Sequence, residues 1–172
     1  MDITTPFKIE FLTIKTKNFT KKKKLIVEEL KKYPEKRFRN FSSNRDDNKL
    51  SLSLASTFKE EFINIGKHFG GNITLNSSWS VTYEKGDFHL PHNHGSIGYA
   101  GILYLDLQKQ SPRTTYIQPW NNEKDKTLLY TPKVKPGDIV IAPKFILHYS
   151  EVNFLTFKKR IISFDFLTGR QT

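Results

Sequence analysis

Apolar and polar positions alternate near the start of the chain, with Phe7, Ile9, Phe11 and Thr13 set against Lys8, Glu10 and Lys15. That period of two predicts a half-buried strand over residues 7–15. The period then lengthens. Leu25, Ile26 and Leu30 fall mainly on one side of a helix that Thr20 can cap, that runs through Lys32 and that Pro34 ends. Residues 39–48, rich in Asn, Ser and Asp, read as a loop. A second helix is expected to start near Ser53 or Ser56. Its Phe58, Phe62, Ile65 and Phe69 make one apolar stripe before Gly70-Gly71 supplies the stop.

Beyond Gly71 the texture changes to short runs of Val, Ile, Leu and aromatic residues between Gly, Pro and Asn punctuation. The candidate strands are Asn72–Leu75, Trp79–Tyr83, Tyr99–Leu107, Thr114–Ile117, Thr127–Tyr130, Asp138–Ala142, Ile146–Val152 and Arg160–Leu167. Short strands at this spacing after two helices predict a mainly β fold, a double-stranded β-helix (jelly roll) or small barrel with the N-terminal helices packed on one face. No interior stretch reads as a linker. We expect one domain over residues 1–172, divided into an N-terminal strand and helices (1–71) and a jelly-roll core (72–168).

Composition narrows the chemistry. The 172 residues are 37% hydrophobic and include 14 Phe, seven Tyr and two Trp, enough for a single packed core. Cysteine is absent, which excludes disulfides, thiolate metal sites and cysteine nucleophiles; any metal must be held by nitrogen and oxygen. No apolar run approaches a membrane span, and Asp2, Lys8 and Glu10 interrupt the stretch that a signal peptide would need, so an intracellular setting is the expectation. The formal charge of +11 suggests an acidic partner, but residues 1–49 carry +7 of it, and the Lys21–Lys24 run within them also reads as a solvated face.

Four of the five histidines lie in the strand-rich half: His89, His92, His94 and His148. On an extended backbone residues i and i+2 share a face, so His92 and His94 can present two imidazoles to one ion. Pro91 favours extension just before them and Gly95 allows a turn just after. His148 sits on a later strand that a jelly roll can bring opposite, which makes it the candidate third ligand. Three side-chain ligands leave positions open for substrate, cosubstrate or oxygen. His68, alone near a helix end, reads as surface. His89 reads as an ordinary polar residue, with a role behind the ligands or facing substrate as the alternative. Arg160, at the start of an otherwise apolar strand, needs an anionic partner; a bound carboxylate or a structural ion pair would each satisfy it.

The ordered set of His92-Asn93-His94, Gly95, the strand ending Leu103-Tyr104-Leu105-Asp106, Pro136-Gly137-Asp138, His148 and Arg160 resembles the iron(II)- and 2-oxoglutarate-dependent oxygenases. The likeness is to the prolyl-hydroxylase-like branch and its small phage and marine-bacterial relatives, and it covers roughly residues 72–168. It implies iron(II) held by His92, His94 and His148. It also implies 2-oxoglutarate as cosubstrate, with its distal carboxylate on Arg160 and Tyr104, and Tyr83 lining the pocket. Ser163 is an additional candidate donor, although alternation points it to the face opposite Arg160. The chain departs from the family at His94, where a carboxylate is usual. That exchange raises the net charge of an iron(II) site from about +1 to +2 and removes a hard oxygen donor.

The expected activity is therefore oxidative decarboxylation of 2-oxoglutarate coupled to C–H hydroxylation of a protein side chain, a nucleic acid or a small metabolite. The alternatives are a three-histidine cupin-like metalloprotein or dioxygenase that needs no 2-oxoglutarate, and a non-catalytic module whose basic N-terminal region contacts nucleic acid.

Overall fold

The computed structural model describes residues 8–46 and 49–169. In chain order the elements are β1 (Leu12–Lys15), α1 (Phe19–Leu30), β2 (Lys36–Arg37), β3 (Ser42–Asp46), α2 (Lys49–Thr57), α3 (Lys59–His68), β4 (Ile73–Tyr83) and β5 (His89–His92). They continue with β6 (Tyr99–Asp106), β7 (Thr114–Asn121), β8 (Thr127–Tyr130), β9 (Asp138–Pro143), β10 (His148–Ser150) and β11 (Lys159–Thr168). The strands form two antiparallel sheets, a large one ordered β1-β9-β6-β11-β4-β3-β2 and a small one ordered β5-β10-β7-β8.

Two cores follow from the alternation along the central strands. Leu103, Leu105, Ile139, Ile141, Ile162 and Phe164 leave one face of the large sheet and share a cluster with helix residues such as Ile26, Leu54, Phe58 and Ile65. Their neighbours Ile102, Tyr104, Val140, Ala142 and Ile161 leave the other face and meet Tyr116 and Ile146 from the small-sheet side. A strand buried on both faces has no polar side to show, which is why Tyr99–Leu105 and Ile139–Ala142 read as continuous apolar runs. Gly101 sits where β6 crosses Phe164: a Cβ there would run into that ring and lie 2.8 Å from Ile141 Cδ1.

Several local expectations change. Residues 42–46, read as loop, form β3 and add to the edge of β4, with Ser43↔Val81 and Asn44↔Ser80 in register. Two of its polar side chains are satisfied within the sheet: Ser43 Oγ donates to the Ser80 carbonyl, and Asn44 Oδ1 accepts from Ser80 N. The first helix has Asn18, in the left-handed region at φ 52°, at its N-cap in place of Thr20, without a side-chain cap. The second helix is two helices that break at Phe58, whose ψ of 31° leaves the helical region while its ring stays buried. Asn72–Leu75 and Trp79–Tyr83 join into the single long β4, the polar Asn76–Ser78 between them being accommodated beside a bulge against β11. Position 7 of the expected first strand lies outside the described residues. No helix among the described residues is long and apolar enough to cross a membrane.

Candidate metal centre and anion recess

His92 ends β5, His148 begins β10, and the two face each other in register across the small sheet. His94 lies beyond the strand end, pinned by its own N–H to the Lys144 carbonyl at 3.0 Å, just before Gly95 at φ 110°. One nitrogen from each of the three rings lies within 4.8 Å of the others. Ligands on a shared ion with bonds of about 2.1 Å sit at most about 4.2 Å apart, so the rings need to draw in only slightly to gather one.

Each ring is turned by a bond at its Nδ1. His92 Nδ1 meets the Leu90 carbonyl at 2.7 Å, His148 Nδ1 the Ile146 carbonyl at 3.1 Å, and His94 Nδ1 the Asp165 carboxylate at 2.7 Å. Carbonyls and carboxylates only accept, so Nδ1 carries a proton in all three rings and Nε2 is the nitrogen left to meet an ion. Burial lowers the pKa of His148 to about 3 and also lowers that of His92, with the mutual proximity of the rings acting in the same direction. The donor set is three imidazole nitrogens, suited to iron, zinc, nickel or copper, and the fit to a metal ion is good.

His89 does not turn toward the same point. It stacks on His92 at 4.0 Å between ring centroids, lies 4.3 Å from Phe41, and its Nδ1 is 3.2 Å from the Tyr83 hydroxyl. His68, half-exposed, stands 3.9 Å from Glu10. Ahead of β5, Asp87 takes a bidentate pair from Arg37 at 2.5 and 2.6 Å and accepts the Glu84 N–H. This clamps the turn that launches β5.

Arg160 is not in this recess. Its guanidinium bonds the Asp106 carboxylate at 2.9 Å on the helix side of the large sheet, where Lys23 reaches the same carboxylate. The physical reason is parity: Arg160 alternates with Ile161 and shares the outward face with Ile162 and Phe164, whereas Ile161 and Ser163 line the recess, Lys159 meets Ser150 and Tyr83, and Asp165 meets His94 at the adjoining groove. The inward cation is therefore Lys159. It is fully buried, donates to Ser150 Oγ at 2.7 Å and lies 4.4 Å from the Tyr83 ring centroid. No carboxylate pairs with it among the described residues; burial, and secondarily the Arg113 cation, lower its pKa to about 7.

Tyr104 also faces inward. Its hydroxyl is buried without a hydrogen bond of good geometry, beside Thr114, and burial raises its pKa to about 12. Tyr83 and Ser163 line the recess with His92, His94 and His148. The recess itself is narrow, about 20 Å³, and lies beside a groove of about 1060 Å³ walled by Phe38, Phe41 and Trp79. Lys159 and Asp165 are not among the residues that the sequence singles out, although both share the parity of Ser163 along β11.

No family model and no curated protein sequence matches the chain. Solved structures do. A 2OG-Fe(II) oxygenase family oxidoreductase from Burkholderia pseudomallei superposes with a TM-score of 0.71 over 91% of this chain and 84% of its own, at 10% identity. The fold is that of the 2-oxoglutarate, iron(II) oxygenases. HygX from Streptomyces hygroscopicus, solved with nickel, 2-oxoglutarate and hygromycin B bound, gives 0.71 at 14% identity, covering 94% of this chain and 84% of that one. A Pseudomonas putida prolyl-4-hydroxylase gives 0.60 at 9% identity, covering 92% of each chain. At such identities the likeness is one of architecture: a jelly roll with helices before it, in which this chain carries His-x-His.

Proposed function

We propose that the chain is an iron(II)- and 2-oxoglutarate-dependent oxygenase that hydroxylates a C–H bond while 2-oxoglutarate is decarboxylated to succinate. One observation carries the reading: three imidazoles with their Nδ1 atoms anchored converge in the same jelly-roll interior as a buried ammonium that has no carboxylate partner among the described residues. A bound iron(II) would supply the oxygen chemistry. His92, His94 and His148 would hold it through Nε2, with His89 stacked behind His92 to fix its plane. Lys159 and the Tyr104 hydroxyl, two buried groups short of an acceptor, supply the recognition of the distal carboxylate that Arg160 cannot give from the other face.

The interior charge of Lys159 is costly without an anion, and a dicarboxylate is the ligand that offsets it. Seating that diacid in so narrow a recess requires the lining side chains to move outward. Substrate then approaches through the aromatic-walled groove. An acidic partner would find Lys36 at that groove more readily than the Lys21–Lys24 run, in which Lys22 and Lys23 are committed to Glu61 and Asp106. The N-terminal helices, which share a core with the large sheet, serve as a buttress that holds β11 and its inward residues in place. An intracellular setting suits both a 2-oxoglutarate-consuming reaction and a chain without cysteine.

Adding iron(II) and 2-oxoglutarate to the protein without oxygen is expected to produce a visible metal-to-ligand charge-transfer band, and admitting oxygen to produce succinate. A folded protein that binds iron(II) but gives neither would favour the three-histidine dioxygenase that takes substrate directly on the metal. One that binds no metal would overturn both readings.

A further inference from the structure

Asp165 stands where an outer carboxylate would compensate for the one that His94 displaces. Its Oδ1 lies 2.7 Å from His94 Nδ1, and both side chains are nearly buried, 7% exposed for His94 and 11% for Asp165. Its Oδ2 lies 3.1 Å from Lys144 Nζ. Neither His92 nor His148 has such a partner; their Nδ1 atoms meet backbone carbonyls.

We infer that Asp165 is a positioning and charge-supplying residue for the metal: through His94 it returns to the centre the negative charge that a His-x-His pair lacks. The inference rests on the metal-binding reading above. A carboxylate accepting the Nδ1–H of a ligating imidazole fixes the ring and makes its Nε2 a stronger donor, and loss of such a partner costs about 10–100-fold in metal affinity. Three neutral imidazoles leave an iron(II) centre at about +2, and one carboxylate hydrogen-bonded to a ligand brings the assembly back toward +1. Lys144, on the other oxygen, draws off part of that charge. No protein atom need move for this to operate, because Asp165 already meets His94 Nδ1 at the wall of the adjoining groove.

The test is a four-way comparison of Co(II) affinity, read from the absorption of the bound ion in wild type, D165N, H94D and H94D/D165N. The amide of D165N can keep the hydrogen bond from His94 while losing the charge. We expect D165N to weaken Co(II) binding about 10–100-fold in the wild-type background. In the H94D background the same change should leave affinity unchanged or tighten it, since a carboxylate then touches the metal and the neutral amide of D165N no longer repels it. K144M should tighten binding, and it covers the case in which D165N fails to fold. With iron(II) and 2-oxoglutarate under anaerobic conditions, D165N should move the charge-transfer band to shorter wavelength, because a less electron-rich iron gives up its electron less readily. An equal loss in both backgrounds, or a D165N affinity within twofold of wild type, overturns the inference while leaving the metal centre standing. A wild-type protein that binds no Co(II) overturns the centre and the inference together.

Discussion

Lys159 Nζ lies 4.4 Å from the centroid of the Tyr83 ring, directly across the β4–β11 ladder in which the two residues are paired. The ring face and the Ser150 hydroxyl give this ammonium partial compensation only. Lys159→Met keeps the volume and removes the charge. We expect the variant to be more stable than wild type in the absence of ligand, by on the order of a few kcal/mol. It should bind 2-oxoglutarate roughly 10–100-fold more weakly, the loss of one charge-assisted hydrogen-bonded contact. Thermal denaturation and titration of the charge-transfer band measure the two effects. A variant that is destabilised and binds normally would remove Lys159 from the site.

Arg160→Ala should behave in the opposite way. Its guanidinium is engaged by Asp106, which Lys23 also holds, at the edge of the helix layer. Cosubstrate affinity is expected to stay within twofold of wild type, with a stability loss of about 1 kcal/mol or less from a partly exposed pair. A large rise in the 2-oxoglutarate requirement would mean that the carboxylate is held on the far side of β11.

The contrast between these neighbours explains what the sequence can and cannot convey. His92 and His94 are legible as a pair from their i and i+2 spacing, whereas His148 is reached only through the expected jelly roll, which does bring the three rings together. The jelly roll is legible from the rhythm of short apolar runs. The face that Arg160 takes is not legible, because order along the chain marks a cation near the start of the last strand but not the side of the sheet it leaves. Only the pairing of Lys159 with Tyr83 and of Ile161 with Tyr104 fixes that parity. Asp165 is invisible for a related reason: it lies 71 residues from His94, and a single carboxylate in an aromatic strand carries no local pattern. The β3 strand is missed because its Ser and Asn side chains are satisfied by β4 across the ladder, a tertiary effect that local composition reads as loop.

Gly101→Ala tests the packing that holds β11 in register with β6. The added methyl has no free space, meeting the Phe164 ring and lying 2.8 Å from Ile141 Cδ1. Overpacking of this kind costs about 1–3 kcal/mol, which for a chain of this size lowers Tm by roughly 3–10 °C. Phe164→Leu in the same molecule should recover part of the loss by clearing the ring edge. Additive losses in the double variant would show that the methyl strains the backbone and not the ring contact.

The buried ammonium also sets a pH dependence whose sign follows from its depressed pKa. Folded, Lys159 titrates at about 7; unfolded, it returns to its ordinary value of 10.5. Between those values the unfolded chain binds the extra proton, so the contribution of Lys159 to stability rises with pH from about 7 to 10.5 and is constant below. The Tm advantage of Lys159→Met should therefore be largest near pH 6 to 7 and shrink toward pH 10. Binding of a dicarboxylate favours the charged form and runs the linkage the other way. At pH 8 association with 2-oxoglutarate should take up a proton, visible in calorimetry as a binding enthalpy that depends on the ionisation heat of the buffer, and affinity should fall as pH rises above 7. Proton release, or an enthalpy independent of buffer, would mean that the anion does not meet Lys159.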